Sequence, residues 1–352
     1  MTRRRRTVPV IIALSCIVVL AILAILFFMS CPFADKKTSD PDATVLEAVD
    51  FSVFPDANTA VLAAMEEASQ TIAAKAEETR DVVPSHIVTN AELWSLPAQS
   101  GLYGFTFNES DAGAAPEVPA EYKASIDALM GRFASEGSSV GFIFMDLASA
   151  RGFAYNIDER FYSASSIKGP FMAFLCEEYV ETGGASYGSI EDLIARTIVD
   201  SDNNAYDSLR RSYTYDGTFA SWLSRLGLST SDYITGGIWY PDYSAREASI
   251  LWLDIWDYLQ GGSGYAEWLS GLYSNTNLSP LRDALGERGT VMNKAGWIGE
   301  PGYNAIADNG IVYFGKRPYL VSVLTDFYYS DHNYSSIVEL IRAIAEGATA
   351  LK

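Results

Sequence analysis

The sequence predicts an α+β domain built on one antiparallel sheet, flanked by terminal helices and carrying a helical lobe. An N-terminal transmembrane helix precedes it. Three observations predict this. Strand-like runs lie near both ends of the region downstream of residue 120, at 140–156 and 310–327. The stretch between them, Ser166 to Leu285, reads mostly as helix. Far upstream, an apolar run of 22 residues, Val8 to Met29, follows four consecutive arginines, Arg3 to Arg6. Strands at two ends, with helices between and outside them, close most simply into one sheet by end-to-end pairing.

The N-terminal elements come first. About 20 apolar residues span the hydrocarbon of a bilayer as a helix, so residues 7–30 read as a signal anchor. The basic tail, residues 1–6, would stay cytoplasmic and the rest of the chain would lie outside. A cleaved signal peptide is the rival; its apolar core is usually about 7–15 residues, and no small-x-small site follows this run. Residues 31–119 read as a juxtamembrane stalk and linker. Asp35 to Asp42 is polar, and Asn58-Thr59 opens a helical pattern with Val61, Leu62, Met65, Ile72 and Ala76 on one stripe. Ser110 to Pro119, small, acidic and proline-bearing, marks the boundary of the main domain at 120–352.

Within that domain a helix is expected over about Glu121 to Ser135, with Ile126, Leu129, Met130 and Phe133 on one side. Val140 to Leu147 follows as a strand, Ser149 to Gly152 as a turn, and Phe153 to Asn156 as the returning strand. Phe171 to Tyr179 is an apolar helical stretch that makes Cys176 a core residue. Gly310 to Phe314 and Tyr319 to Phe327 form a second hairpin across Gly315-Lys-Arg-Pro318, and a last helix runs from about Ser335 to Ala350. The cleft between sheet and helical lobe is the natural place for a site.

Composition narrows the function. The 352 residues carry a net charge of −19, which argues against a nucleic-acid partner. Only two histidines exist, His86 and His332, so a Ser-His-Asp triad or a histidine-rich metal centre is almost excluded by count. Three cysteines, Cys16, Cys31 and Cys176, give no disulfide framework.

Three short motifs fall around the expected cleft. Ser165-Ser-Ile-Lys168 opens a helix; residues three apart share a helical face, so Lys168 can reach Ser165 Oγ. A lysine in a partly dry site loses its proton more easily and can serve as base to a serine nucleophile. The helix N-terminus adds free backbone N–H groups suited to an oxyanion. Ser201-Asp-Asn203 and Lys294-Ala-Gly296 follow. Taken singly each has a plain reading: a helix cap with a solvated lysine, a turn cluster, and a strand fragment.

Taken together, in this order, the three motifs resemble the serine β-lactamase and penicillin-binding protein superfamily, class A in particular. The flanks agree: Phe142-Ile-Phe-Met-Asp-Leu147 and Ala154 to Phe161 before the nucleophile, Asp308-Asn-Gly-Ile-Val-Tyr313 and Tyr319 to Leu324 after Lys294. The resemblance covers about Glu121 to Lys352. It implies a β-lactamase/transpeptidase-like fold and acyl transfer from an amide, with no metal or organic cofactor. Ser165 would be acylated, and Lys168 would be its base. Ser201 would pass a proton to the leaving nitrogen, and Asn203 would hold Lys168 and the substrate amide. Lys294, Gly296 and Trp297 would form the substrate-binding strand, with the N–H groups of Ser165 and Trp297 as oxyanion donors. The implied partners are β-lactams or peptidoglycan stem peptides.

Three departures bear on activity. Ala295 stands where the family has Thr or Ser, and Trp297 where many class A members have a small residue. Tyr233 to Tyr243, where class A enzymes keep a glutamate for the deacylating water, holds only Asp242 as a carboxylate. Glu247, three after Ser244, has capping-box spacing and reads as structural. The expectation is therefore a serine hydrolase that deacylates poorly. The alternative is a cell-envelope sensor or binding module that keeps the fold without the chemistry.

Overall fold

The computed structural model describes residues 82, 84–108, 115–237, 239–300 and 302–352. The basic tail at 1–6, the anchor at 7–30, and the stalk up to residue 81 with its helical pattern lie outside the described residues.

The two ends of the domain meet as expected. Strand β2 (Val140–Asp146) pairs antiparallel with β8 (Arg317–Thr325), from Val140 opposite Thr325 to Asp146 opposite Tyr319. With β1 (Tyr103–Thr106), β3 (Arg151–Tyr155), β6 (Thr290–Glu300) and β7 (Tyr303–Phe314) they form a six-stranded sheet, order β1-β3-β2-β8-β7-β6. Every residue of β2 is buried because both faces are covered. Period-two alternation sends Phe142 and Phe144 to one core and Ile143 and Met145 to the other.

The first core lies under two terminal helices, α2 (Ala120–Ser135) and α11 (Asp331–Ala345), the latter capped by Ser330 Oγ. The second joins the sheet to the helical lobe: α3 (Lys168–Leu175), α4 (Tyr187–Val199), α5 (Asn203–Tyr213), α6 (Thr218–Arg225), α7 (Thr230–Ile234), α8 (Ala245–Gln260) and α9 (Gly264–Tyr273). A short helix, α10 (Pro280–Leu285), leads back to β6, and α12 (Ala348–Leu351) ends the chain. Ser244 and Glu247 form the expected capping box at the start of α8. Cys176 is fully buried, as expected.

One expectation needs correction. The stalk assigned to 31–119 runs too far downstream. Tyr103–Thr106 pairs with Arg151–Ala154 as an edge strand, and α1 (Asn90–Ser95) packs on α8. The physical reason is Arg246, only 4% exposed, whose guanidinium donates to the carbonyls of Leu93, Trp94 and Leu96 and pairs with Asp158. A buried guanidinium needs such acceptors, so this stretch is part of the domain. The middle also contains a strand: β5 (Asp242–Ser244) pairs with β4 (Arg160–Tyr162).

Candidate active site

The site forms where the edge strand β6 meets the start of α3 and the N-terminus of α5. Ser165 lies in a single 3-10 turn, Ala164–Ile167, that runs straight into α3. Ala164 ahead of it and Ser201 across from it both take left-handed backbone, φ 45° and 57°. For residues with a Cβ this costs on the order of 1–3 kcal/mol each, and such strain collects at functional sites. The two adjacent serines separate cleanly. Ser166 is fully buried; its Oγ donates to Ser163 O (2.6 Å) and contacts Tyr243 Oη. Ser165 is partly exposed.

Gly296 is what lets β6 come this close. A Cβ there would lie 2.5 Å from Ser165 N and 2.6 Å from Ser163 O, and would also strike Ser166 N. Its lack of a Cβ is what permits this close approach. Gly169 does the same on the next turn: its Cβ would meet Lys294 Cβ at 2.9 Å. The strand edge is legible from one bond, Lys294 Nζ to Ala295 O at 2.8 Å. Ala295 O therefore points off the free edge of the sheet. Alternation puts the Trp297 N–H on that same edge, toward the Ser165 turn. The Ser165 and Trp297 N–H groups are the two that the resemblance names as oxyanion donors.

Lys168 and Lys294 are both buried, at 0% and 1% exposure. They converge on Ser201. Lys168 Nζ donates to Ser201 O (2.5 Å), to Asn203 Oδ1 (2.6 Å) and, at 3.4 Å, to Ser201 Oγ. Lys294 Nζ donates to Ser201 Oγ at 3.1 Å. Lys168 thus bonds neutral oxygens across the cleft rather than Ser165 Oγ, the contact its spacing suggested; catalytic hydrogen bonds are often unformed without substrate. Desolvation first, then the Lys294 charge, lowers the Lys168 pKa to about 7, with Asp202 opposing. Desolvation lowers Lys294 to about 8, against the pull of Asp308. A near-neutral amine beside a serine, and a second lysine that stays charged longer, are groups that acyl transfer can use.

Asp202 serves the site indirectly. Its Oδ1 caps α5 through Asn204 N and Ala205 N, while Arg196 holds its other oxygen. Asn203, first residue of α5, is thereby aimed at Lys168. Ala295 is 1% exposed and offers no side-chain donor. Trp297 is partly buried, its ring 5.9 Å from Lys294 Nζ and 6.2 Å from the Tyr329 ring. Asp242 is exposed and lies on the opposite face of β5 from buried Tyr243. Glu247 is engaged by Ser244 N and Arg160. Sequence reasoning missed Tyr206 and Tyr240, whose rings lie 5.6 and 5.8 Å from Lys168 Nζ. The signal was the Trp-Tyr-Pro run, 239–241, after two glycines.

The comparisons agree with this fold. The family model described as the β-lactamase enzyme family matches residues 121–187 and 182–350. Among solved structures, PBP-A is 19% identical at TM-score 0.54, covering 66% of this chain and 98% of its own. A β-lactamase from Chitinophaga pinensis is 16% identical at TM-score 0.54, covering 65% and 99%. A class A β-lactamase from Clostridium kluyveri is 18% identical at TM-score 0.51, covering 66% and 100%. A search of curated proteins gives no match. With its fold shared by these structures and its sequence matched from 121 to 350, the chain belongs to the β-lactamase enzyme family.

Proposed function

We propose that this chain is a membrane-anchored, extracellular serine hydrolase, acylated at Ser165 by β-lactams or peptidoglycan stem peptides and slow to release the acyl group. The observation that carries the reading is the convergence of Lys168 and Lys294 on Ser201 beside the partly exposed Ser165. In the acylation step Lys168, as the free amine, takes the Ser165 proton directly or through water while Oγ attacks the amide carbon. The carbonyl electrons move onto oxygen, held by the N–H groups of Ser165 and Trp297. On collapse the C–N bond breaks, and Ser201 gives its proton to the leaving nitrogen with Lys294 beside it.

Deacylation needs a second proton acceptor aimed at water. The groups bonded to Lys168 are Ser201 O, Ser201 Oγ and Asn203 Oδ1, none of them a carboxylate. Asp242 is exposed opposite Tyr162 and is not among those groups, and Glu247 is occupied. General-base help is worth about 10²–10⁴ in rate, so its loss supports an acyl-enzyme that accumulates. The anchor at 7–30 and the outside location rest on the arginines and the 22-residue apolar run.

A fluorescent penicillin tests the chemistry. The full chain should be labelled, and Ser165→Ala should abolish labelling with the fold intact. Labelling that persists, or moves to Ser166, overturns the assignment; an unlabelled wild type points instead to a sensor or binding module. Protease added to intact spheroplasts tests the location: the bulk of the chain should be digested, and full protection contradicts the outside placement.

A further inference from the structure

We propose that Tyr240 is the positioning residue of the base: with Tyr206 it walls Lys168 into a dry aromatic box, and through Asn203 it fixes where the lysine nitrogen points. The proposal deepens the reading above and rests on Lys168 being the base. The two rings stand 5.4 Å apart, tilted by 57°, with Lys168 Nζ 5.6 and 5.8 Å from their centres. Tyr240 Oη donates to Asn203 Oδ1 at 3.2 Å, the same oxygen that accepts from Lys168 Nζ at 2.6 Å. Burial raises the Tyr240 phenol above its ordinary range, so it stays protonated and remains a donor.

Tyr240 is also placed with care. Gly236 and Gly237, at φ 70° and 75°, turn the chain out of α7 and toward the site. The carbonyls on either side of Tyr240 are both pinned. Trp239 O accepts from Tyr206 Oη at 2.8 Å, and Pro241 O accepts from Ser163 N at 3.0 Å, two residues before the nucleophile. Tyr206 is fixed in turn by Arg210, whose Nη1 donates to its hydroxyl at 3.0 Å. One loop residue is thus clamped to both the helix that bears Asn203 and the turn that bears Ser165.

The electrostatic consequence has a definite sign. The charged groups facing Lys168 are Lys294 from β6 and Asp202 from the start of α5, the latter paired with Arg196; Tyr206 and Tyr240 are the neutral walls. Two effects of the Tyr240 ring oppose each other. Excluding water favours the free amine, whereas a ring near a cation favours the ammonium. At 5.8 Å the ring is at the ~6 Å edge of effective cation–π range. Desolvation moves a buried lysine by up to several units, so it wins.

The test is a direct titration of Lys168 in the full chain, using ¹³C-lysine protein and assigning the resonance by its absence in Lys168→Arg. Tyr240→Ala should raise the midpoint by about one unit or more as water enters. Tyr240→Phe keeps the ring but frees Asn203 Oδ1 for the ammonium, so its midpoint should rise less. The acid limb of the acylation pH profile should move by the same amounts. Unchanged midpoints overturn the proposal, and Tyr240→Phe decides it alone if Tyr240→Ala does not fold. A chain that is never acylated, yet whose Lys168 midpoint follows Tyr240, sinks the enzymatic reading and leaves the box standing.

Discussion

Asn293 and Lys294 are neighbours on β6, and alternation sends their side chains into two different regions. On the Asn293 side lies a closed network. Asp308, fully buried, accepts from Asn293 Nδ2 (2.6 Å), Ser279 Oγ (3.0 Å) and Leu281 N (2.9 Å), while Arg282 and Thr276 supply Asn293 Oδ1. On the Lys294 side two lysines share one hydroxyl, and neither is hydrogen-bonded to a carboxylate. The first region is satisfied; the second is held in an unfavourable charge arrangement. The strand is anchored by one face while the other stays electrostatically unbalanced, the arrangement that the proposed base and oxyanion would need.

Breaking the reactive face should show in rate, not in folding. Lys168→Ala should slow acylation by about 10²–10⁴, read by stopped-flow with a chromogenic penicillin, while circular dichroism stays that of the wild type. Gly296→Ala forces β6 away from the Ser165 turn and should lower the acylation rate by roughly 10², since a shift of about 1 Å at the reacting atoms costs that much. Breaking the anchoring face should show the reverse. Asp308→Asn places an amide against the amide of Asn293 and should cost about 1–3 kcal/mol in urea denaturation.

The same substitution sharpens the comparison through pH. Acylation should rise as Lys168 loses its proton near pH 7 and fall as Lys294 loses its own near pH 8, a narrow bell. Removing the Asp308 charge removes a support for the Lys294 ammonium, so the upper limb should move down while the lower limb stays in place. Both lysines have folded values below the ordinary ~10.4. They bind fewer protons folded than unfolded, so their contribution to stability grows from about pH 7 toward 10 and fades as pH falls through the folded values. An upper limb that Asp308→Asn leaves unmoved would separate the two faces.

Much of this was legible because it is local. Ser165 and Lys168, or Ser201 and Asn203, lie within one turn of each other, and short spacing survives translation into structure. At Ser201-Asp-Asn203 the plain reading holds and leaves room for the chemical one: Asp202 is the helix cap, and the residues either side of it bond Lys168. The strands at 140–156 and 310–327 were visible because their apolar runs are long. What escaped was non-local. The four residues of β1 carry one buried side chain and become a strand only against β3. Nothing near Asn90 shows that Arg246, about 150 residues later, will need its carbonyls. Tyr240 reaches Lys168 only through a loop pinned at both of its neighbours.

In the proposed function a β-lactam acylates Ser165 with Lys168 as the base, and no carboxylate among the described residues stands ready to activate water for release. Intact-protein mass spectrometry, seconds to hours after mixing the full chain with a penicillin, tests it most directly. A single persistent adduct of the intact penicillin mass is expected, absent in Ser165→Ala. Rapid multiple turnover with no adduct at any time would contradict it.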